Sequence, residues 1–134
     1  MNYWLIKSDP ETYGWEEMKR DVETFWDGVR NYQARNNMNL MKKGDIALFY
    51  HSNTDKAIMG EVEISKESYQ DPTTDDNRWS AVDVRFKKEY AKPVTLLQIK
   101  EDERLRDISL VRQSRLSVMG IDKSHYDIIC KYAK

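Results

Sequence analysis

The sequence predicts an α+β domain in which short helices flank a curved, mostly antiparallel sheet. Residues 58–64 and 82–86 alternate apolar and polar side chains with a period of two, which is typical of strands with one solvated face. Residues 34–41 and 126–133 instead place apolar side chains at the spacing of one helix face. Strands and helices intermix without a regular βαβ rhythm, and this favours the α+β class.

The first half of the chain contains two strand signals and two helix signals. The short apolar run at 3–6 is stopped by Ser8, Asp9 and Pro10, which indicates a buried strand. Gly44 follows the predicted helix at 31–41 and is predicted to be the C′ residue of that helix. In order, the predicted elements are a strand at 3–6, one or two helical turns at 15–20, a turn at 27–28, a helix at 31–41 and a central strand at 46–51.

The second half begins with a turn at 52–55 and continues with the two alternating strands. The polar, acidic segment 65–78 between them is predicted to be a loop. Thr95 and Gln98 have the spacing of a capping box and predict a short helix. A last strand is predicted around Leu116 and Val118, followed by a closing helix that begins near Asp122.

Length and composition exclude several classes of protein. A chain of 134 residues is the size of one domain, and its 22 basic and 23 acidic residues exclude a polybasic binder. One Cys and two His exclude an intramolecular disulfide and the usual four-ligand zinc site, so we expect no metal and no cofactor. The longest apolar runs are about six residues, far below a bilayer span. We expect a cytoplasmic protein without a membrane partner.

Motifs of catalysis are absent from the sequence. There is no phosphate-binding loop, dinucleotide fingerprint, zinc-protease motif or nucleophile elbow. His51 and Ser52 could be a base and a nucleophile, but adjacent strand residues point to opposite faces. Cys130 lies on the apolar stripe of the last helix and is predicted to be a structural thiol. We therefore expect a protein without enzymatic activity.

Local charge is uneven although the total is close to neutral. Two windows, 28–44 and 108–121, contain no acidic residue. If they lie together in the fold, they form a basic face that neutralises phosphates; ordinary surface charge is the alternative. The cations of these two windows are Arg30, Arg35, Lys42, Lys43, Arg112 and Arg115.

The four tryptophans differ in their sequence surroundings. Trp4 and Trp15 lie in predicted elements and are expected to pack in the core. Trp26 precedes a turn, where a loop is expected. Trp79 has the opposite parity to the apolar positions of the strand at 82–86. Two tryptophans near element ends predict the walls of an aromatic slot, with satellite core packing as the alternative.

Seven ordered blocks resemble one known family over nearly the whole chain. They are YWLIKSDP, FWDGVRNYQARNNM, MKKGD, FYHSN, DPT before a lone Trp, KPVTLLQIK and SRLSV. Their order resembles the EVE domain family of the PUA-like superfamily, which is similar to the YTH domain. The resemblance predicts a single domain over residues 1–134.

The resemblance implies a PUA-like curved mixed sheet or small barrel of about five or six strands, with short helices around it. It also implies recognition of a modified nucleobase, a cytosine or an adenine, in DNA or RNA. Trp26 and Trp79 match cage positions, and Lys7, Ser8 and Asn31 match the neighbouring polar segments. The third cage aromatic of YTH domains has no counterpart in the short DPTTDDNR segment.

These observations define two sets of candidate site residues. For Ser8 and Asn31 the alternative role is capping, and for Tyr32, Tyr50 and Leu116 it is core packing. The six cations of the acid-free windows are expected to border the same opening and contact phosphates. The expected ligand-binding residues are Trp26, Trp79, Lys7, Ser8, Asn31, Tyr32, Tyr50, His51, Ser52, Leu116 and Ser117.

The sequence leaves three functions open. The first is non-catalytic binding of a modified base, the second an enzyme or sensor of a small nucleobase-like ligand with His51 as acid or base, and the third a protein-interaction module. The base, its modification, the sugar and the oligomeric state are open as well.

Overall fold

A computed structural model describes residues 1–134 as a six-stranded mixed sheet flanked by five helices. The strands are β1 (Tyr3–Ser8), β2 (Glu23–Trp26), β3 (Ile46–His51), β4 (Ala57–Gln70), β5 (Ser80–Thr95) and β6 (Val118–Ile121). The helices are α1 (Trp15–Asp21), α2 (Tyr32–Leu40), α3 (Leu96–Glu101), α4 (Ser109–Arg112) and α5 (Lys123–Tyr132). No helix has both the length and the apolar character needed to cross a bilayer.

The strand order is β2-β5-β4-β3-β1-β6, with β2 and β6 at the two edges. Only β1 and β3 are parallel, and all other neighbours are antiparallel. The predicted α+β class and mostly antiparallel sheet are therefore confirmed. The sheet is not closed into a barrel, because no ladder joins β2 to β6.

The core lies around the central strands. All six residues of β3 are buried between β1 and β4, which confirms the prediction of a central strand. The long strands β4 and β5 contain several register shifts, and such irregularities bend and twist a strand pair. Trp4 and Trp15 are both buried, as predicted.

Two helix starts follow from local sequence. The Thr95 hydroxyl accepts from the Gln98 amide at 3.1 Å, and the Gln98 side chain accepts from the Thr95 amide at 2.9 Å. The predicted capping box is thus confirmed at the start of α3. At α2, the Asn31 side chain accepts from the Ala34 amide at 2.9 Å. This bond satisfies one of the free N–H groups of the first helical turn.

Several expected boundaries are wrong. The predicted loop at 65–78 is half strand, because β4 continues to Gln70 and pairs with the start of β5. Trp26 ends β2 and does not lie in a loop. Gly44 is not a C′ residue: α2 ends at Leu40, and Gly44 has φ +95° in the turn before β3. The last strand begins at Val118 and excludes Leu116.

Candidate functional site

A cavity of about 500 Å³ lies where the end of β1 meets the end of β2. Its walls are the last residues of β1, the segment before α1, and β2 with the loop that follows it. We call it the Trp26 cavity. It is lined by Lys7, Ser8, Asp9, Thr12, Tyr13, Thr24, Phe25, Trp26, Asp27, Gly28, Val29, Arg30 and Ser117.

Trp26 forms the aromatic wall of this cavity. Its ring lies 5.6 Å from that of Phe49 and 6.3 Å from that of Tyr13, at interplanar angles of 80° and 84°. Both neighbours therefore contact the indole edge to face, and no aromatic ring is stacked on it. Because Trp26 lines the cavity without a stacked partner, a planar ligand there can stack on the indole.

Asp71 holds the loop that carries one side of the cavity. The Gly28 amide donates to its carboxylate at 2.8 Å, and the Arg30 guanidinium donates to the same oxygen at 2.9 Å. Asp71 is fully buried, and burial alone would raise its pKa. The hydrogen bonds from Thr73, Arg30 and Gly28 outweigh burial and hold the pKa of Asp71 well below its ordinary value.

Lys7 supplies a half-buried cation at the polar edge of the cavity. Its Nζ donates to the Ser114 carbonyl at 2.9 Å, and it forms no ion pair with a carboxylate. Burial lowers the pKa of Lys7. An ammonium has three N–H donors, so donors of Lys7 remain for a ligand. Nearby, the Ser8 hydroxyl donates to the Tyr13 carbonyl, so it joins the end of β1 to the segment before α1 and does not cap a helix.

Trp79 does not line the Trp26 cavity. It stacks on Tyr32 with ring centroids 5.1 Å apart and an interplanar angle of 29°. The guanidinium groups of Arg30 and Arg78 lie 5.5 and 5.8 Å from its ring centroid. The expectation that both indoles face one cavity is therefore wrong. Arg30, which does line the cavity, lies over the Trp79 ring.

Three expected site residues at the end of β3 also lie away from the cavity. Tyr50 is buried in the core, and burial raises its pKa. His51 is buried as well; its Nε2 accepts from the Trp15 amide at 2.8 Å, and its Nδ1 lies 2.7 Å from Asp55. The Ser52 amide and hydroxyl both donate to the Ser8 carbonyl, at 2.9 and 3.3 Å. His51 and Ser52 thus bond to α1 and to β1, and none of the three residues lines the Trp26 cavity.

The thiol of Cys130 is also removed from the cavity. It is half-buried on α5, and its Sγ donates to the buried Glu61 carboxylate at 3.7 Å. Burial raises the pKa of the Cys130 thiol. This environment suits a structural thiol better than a nucleophile.

A second, smaller cavity of about 300 Å³ adjoins the first. We call it the Arg115 cavity. Arg30 and Ser117 line the Trp26 cavity. Their chain neighbours Asn31 and Leu116 line the Arg115 cavity. Its lining residues are Asn31, Gln33, Arg112, Gln113, Ser114, Arg115 and Leu116.

The cations expected on one face are divided between two ends of the molecule. Arg30 lines the Trp26 cavity, whereas Arg112 and Arg115 line the Arg115 cavity. Arg35 lies on α2 and lines neither cavity; its guanidinium is 5.1 Å from the Tyr32 ring centroid and donates to the Arg78 carbonyl at 2.8 Å. Three of the six expected cations, Arg30, Arg112 and Arg115, therefore line an opening.

Lys42 and Lys43 are not part of that basic surface. They precede β3, and the start of β3 pairs with the start of β1 because these strands run parallel. Lys7 lies near the other end of β1, four residues after Tyr3, which is roughly 13 Å along the strand at about 3.3 Å per residue. The expectation that all six cations border one opening is wrong for these two lysines.

Part of the cavity lining has no clear signal in the sequence. Thr24 and Phe25 belong to β2, an edge strand without alternating apolar residues, and Phe25 is 47% exposed. Asp71 falls within the predicted acidic loop, although it is fully buried. The signal available for β2 is its position between a short helix and the Asp27–Gly28 turn.

Proteins of known structure are similar to this chain in both fold and sequence. A protein from Agrobacterium tumefaciens is 41% identical, with a TM-score of 0.95 and coverage of 99% of this chain and 93% of that one. Human THYN1, crystallised in complex with 5-methylcytosine-containing DNA, is 32% identical, with a TM-score of 0.90 and coverage of 100% and 98%.

The sequence comparisons agree with the structural ones. Thymocyte nuclear protein 1 of Mus musculus is 35% identical over 162 aligned positions, which cover 96% of this chain and 72% of the mouse protein. The EVE domain family matches residues 2–132. Since that match spans almost the whole chain, the protein belongs to the EVE domain family.

Proposed function

We propose that this protein binds a modified base, a cytosine or an adenine, in DNA or RNA, and catalyses no reaction on it. The base enters the Trp26 cavity and stacks on Trp26, while Lys7 and Arg30 meet the phosphates or the base edge. The human THYN1 complex favours DNA and a methylated cytosine over the other combinations.

The Trp26 cavity is the observation that carries this proposal. It combines an indole with no stacked partner, a half-buried lysine with no carboxylate partner, and a volume of about 500 Å³. Cavities of roughly 300–1,000 Å³ are typical of small-ligand sites. An aromatic wall with a desolvated cation beside it suits a planar ligand attached to an anionic backbone.

The energetics of such binding are reasonable. A base leaves its stack in a duplex at a cost of a few kcal/mol. Stacking on one aromatic side chain recovers about 1–3 kcal/mol. The remainder comes from phosphate contacts, which are salt-sensitive, and from hydrogen bonds to the base edge. A free strand end or an unpaired base avoids the cost, so we expect single strands to bind more tightly than duplexes.

Fluorescence anisotropy with short oligonucleotides tests the proposal. Each oligonucleotide carries one 5-methylcytosine, one N6-methyladenine or no modification, in DNA and in RNA, as single strands and as duplexes. We expect the protein to prefer one modified oligonucleotide. Trp26→Ala should weaken that binding by about 5- to 150-fold, the equivalent of ~1–3 kcal/mol of stacking.

Two further variants control for folding and position. Trp26→Phe keeps a ring against Phe49 and should retain most of the affinity, whereas Trp79→Ala changes a tryptophan outside the cavity and should have a smaller effect than Trp26→Ala. Equal affinity for modified and unmodified oligonucleotides would overturn the proposal. Unchanged binding by a folded Trp26→Ala protein would show that the base does not bind in this cavity.

The enzyme hypothesis finds no support in the placement of His51. Both of its ring nitrogens are engaged, with Trp15 and Asp55, and it does not line the Trp26 cavity. Mass spectrometry of the oligonucleotide after incubation distinguishes the two functions. We expect the modified base to be recovered unchanged. A protein-interaction module would instead function normally after Trp26→Ala.

A further inference from the structure

We propose that the Arg115 cavity holds the nucleotide next to the modified base on the same strand. This inference rests on the proposed function of the Trp26 cavity. It adds a second recognition site, and with it a preference for the neighbouring base.

The two cavities share a wall that is one residue thick. Arg30 faces one cavity and Asn31 the other, and Ser117 and Leu116 are divided in the same way. Consecutive Cα atoms are about 3.8 Å apart, so at these two points the linings of the two cavities are separated by one residue step. A strand with its base in the Trp26 cavity can therefore place its next nucleotide at the Arg115 cavity.

Lys7 lies on this shared wall. Its side chain lines the Trp26 cavity, while its Nζ donates at 2.9 Å to the carbonyl of Ser114, which lines the Arg115 cavity. It is half-buried and forms no ion pair, so its positive charge is not neutralised by a carboxylate. The phosphate that joins two consecutive nucleotides must pass this point. Lys7 is thus the residue placed to contact it.

The chemistry of the Arg115 cavity fits a nucleotide. Arg115 is exposed and has neither an ion-pair nor a hydrogen-bond partner, so it is free to bind an outer phosphate. The side chains of Gln33 and Gln113 are exposed and make no hydrogen bonds in the protein. Amide side chains offer a donor and an acceptor together, the pattern that pairs with base edges. Arg112 is different, because it is paired with Asp107.

Abasic substitution beside the modified base tests this inference. The probe is single-stranded DNA with one 5-methylcytosine, and the nucleotide on its 5′ or 3′ side is replaced in turn by an abasic residue. We expect one of the two replacements to weaken binding by about fivefold or more, because a good base contact is worth at least ~1 kcal/mol. The Gln33→Ala/Gln113→Ala variant should lose this difference and still prefer 5-methylcytosine over cytosine.

Asn39→Ala is the matched control, since Asn39 is an exposed amide farther along α2 that lines neither cavity. It should respond to the abasic probes as the wild type does. Equal binding of both abasic probes and the intact probe, with 5-methylcytosine still preferred, would overturn this inference alone. A double variant that responds like the wild type would overturn it as well. Absence of any preference for a modified base, 5-methylcytosine or N6-methyladenine, would overturn the proposed function and this inference with it.

Discussion

Among the side chains of the proposed site, Lys7 has the charge on which phosphate binding depends most. Surface lysines are solvated and exchange partners freely, but Lys7 is half-buried, bonded to a carbonyl and without a carboxylate. Burial disfavours the charged form, so the pKa of Lys7 lies below the ordinary lysine value. A phosphate beside Lys7 would favour the charged form and raise the pKa of Lys7 again. This makes the residue sensitive both to ligand and to pH.

The affinity for DNA should therefore begin to decrease at a lower pH than it would if the ammonium belonged to an exposed lysine. The charged form exists below the pKa, so phosphate binding is lost as pH rises through the lowered pKa of Lys7. Lys7→Arg stays charged and should remove this decrease. Binding is measured against pH with a probe that lacks guanine and thymine, the bases that lose a proton in alkali. Lys43→Arg should behave like the wild type; an identical pH profile for Lys7→Arg would contradict the prediction.

At the scale of elements, Gly60 fixes how α1 packs on the sheet. It lies on β4 beside Phe49 and Glu89, at a register irregularity. A Cβ at this position would overlap the Lys88 carbonyl and the Trp15 indole. Trp15 begins α1 and is buried, so neither neighbour can withdraw easily.

Gly60→Ala should destabilise the protein by about 1–3 kcal/mol, the usual cost of overpacking a core. Gly120→Ala is the matched control in β6, because its new Cβ would meet the Trp4 ring at an ordinary 3.7 Å. Urea denaturation at neutral pH measures both free energies of unfolding. Equal midpoints for the two variants would show that Trp15 does not approach Gly60 as described.

The elements that sequence patterns predict correctly are those in which local and tertiary preferences agree. The β3 segment is apolar throughout and is buried throughout, and the Thr95 capping box forms as its spacing predicts. β2 has no such pattern. Its four residues are held by pairing with residues 82–85 of β5, a tertiary contact that leaves Phe25 exposed. The polar end of β4 is strand for the same reason.

At the scale of the whole molecule, the direction of strands β1 and β3 determines which cations lie near the cavities. The parallel pairing of β1 and β3 places Lys42 and Lys43 at one end of these strands and the two cavities at the other. A chain with nearly equal numbers of acids and bases therefore still has two arginines and no acidic residue in the lining of the Arg115 cavity, whereas the Trp26 cavity combines Lys7 and Arg30 with Asp9 and Asp27. Long-range attraction to nucleic acid depends on this local surface rather than on net charge.

Salt dependence should distinguish the two groups of cations. If Arg115 contacts a phosphate, Arg115→Ala should make the log–log salt slope less negative by about 0.7 for single strands. Lys43→Ala should leave the slope unchanged, because Lys43 lies away from both cavities. Affinities at several salt concentrations measure the slopes, and preference for the modified base should be retained in both variants. Equal slopes for Arg115→Ala and the wild type would remove Arg115 from the interface.

The sequence predicts the site residues that lie within recognisable local blocks. It does not predict positions that depend on contacts between distant parts of the chain. Lys7, Ser8 and Trp26 occur in blocks that resemble the EVE family, and they line one cavity. Trp79 is absent from the lining of that cavity and lies beside Arg30, which is paired with Asp71, some forty residues along the chain. No periodicity in the sequence encodes such a long-range ion pair.

Solution NMR of the indole and amide N–H signals tests the central claim most directly, since each tryptophan contributes one indole signal. The ¹⁵N-labelled protein is titrated with single-stranded DNA carrying one 5-methylcytosine, and Trp26→Phe assigns the indole of interest. We predict the largest shifts at the Trp26 indole and at the amides of Gly28 and Ser117, with smaller shifts for unmodified DNA. An unshifted Trp26 signal at saturating DNA, with the largest changes near Lys42 and Lys43, would contradict the account.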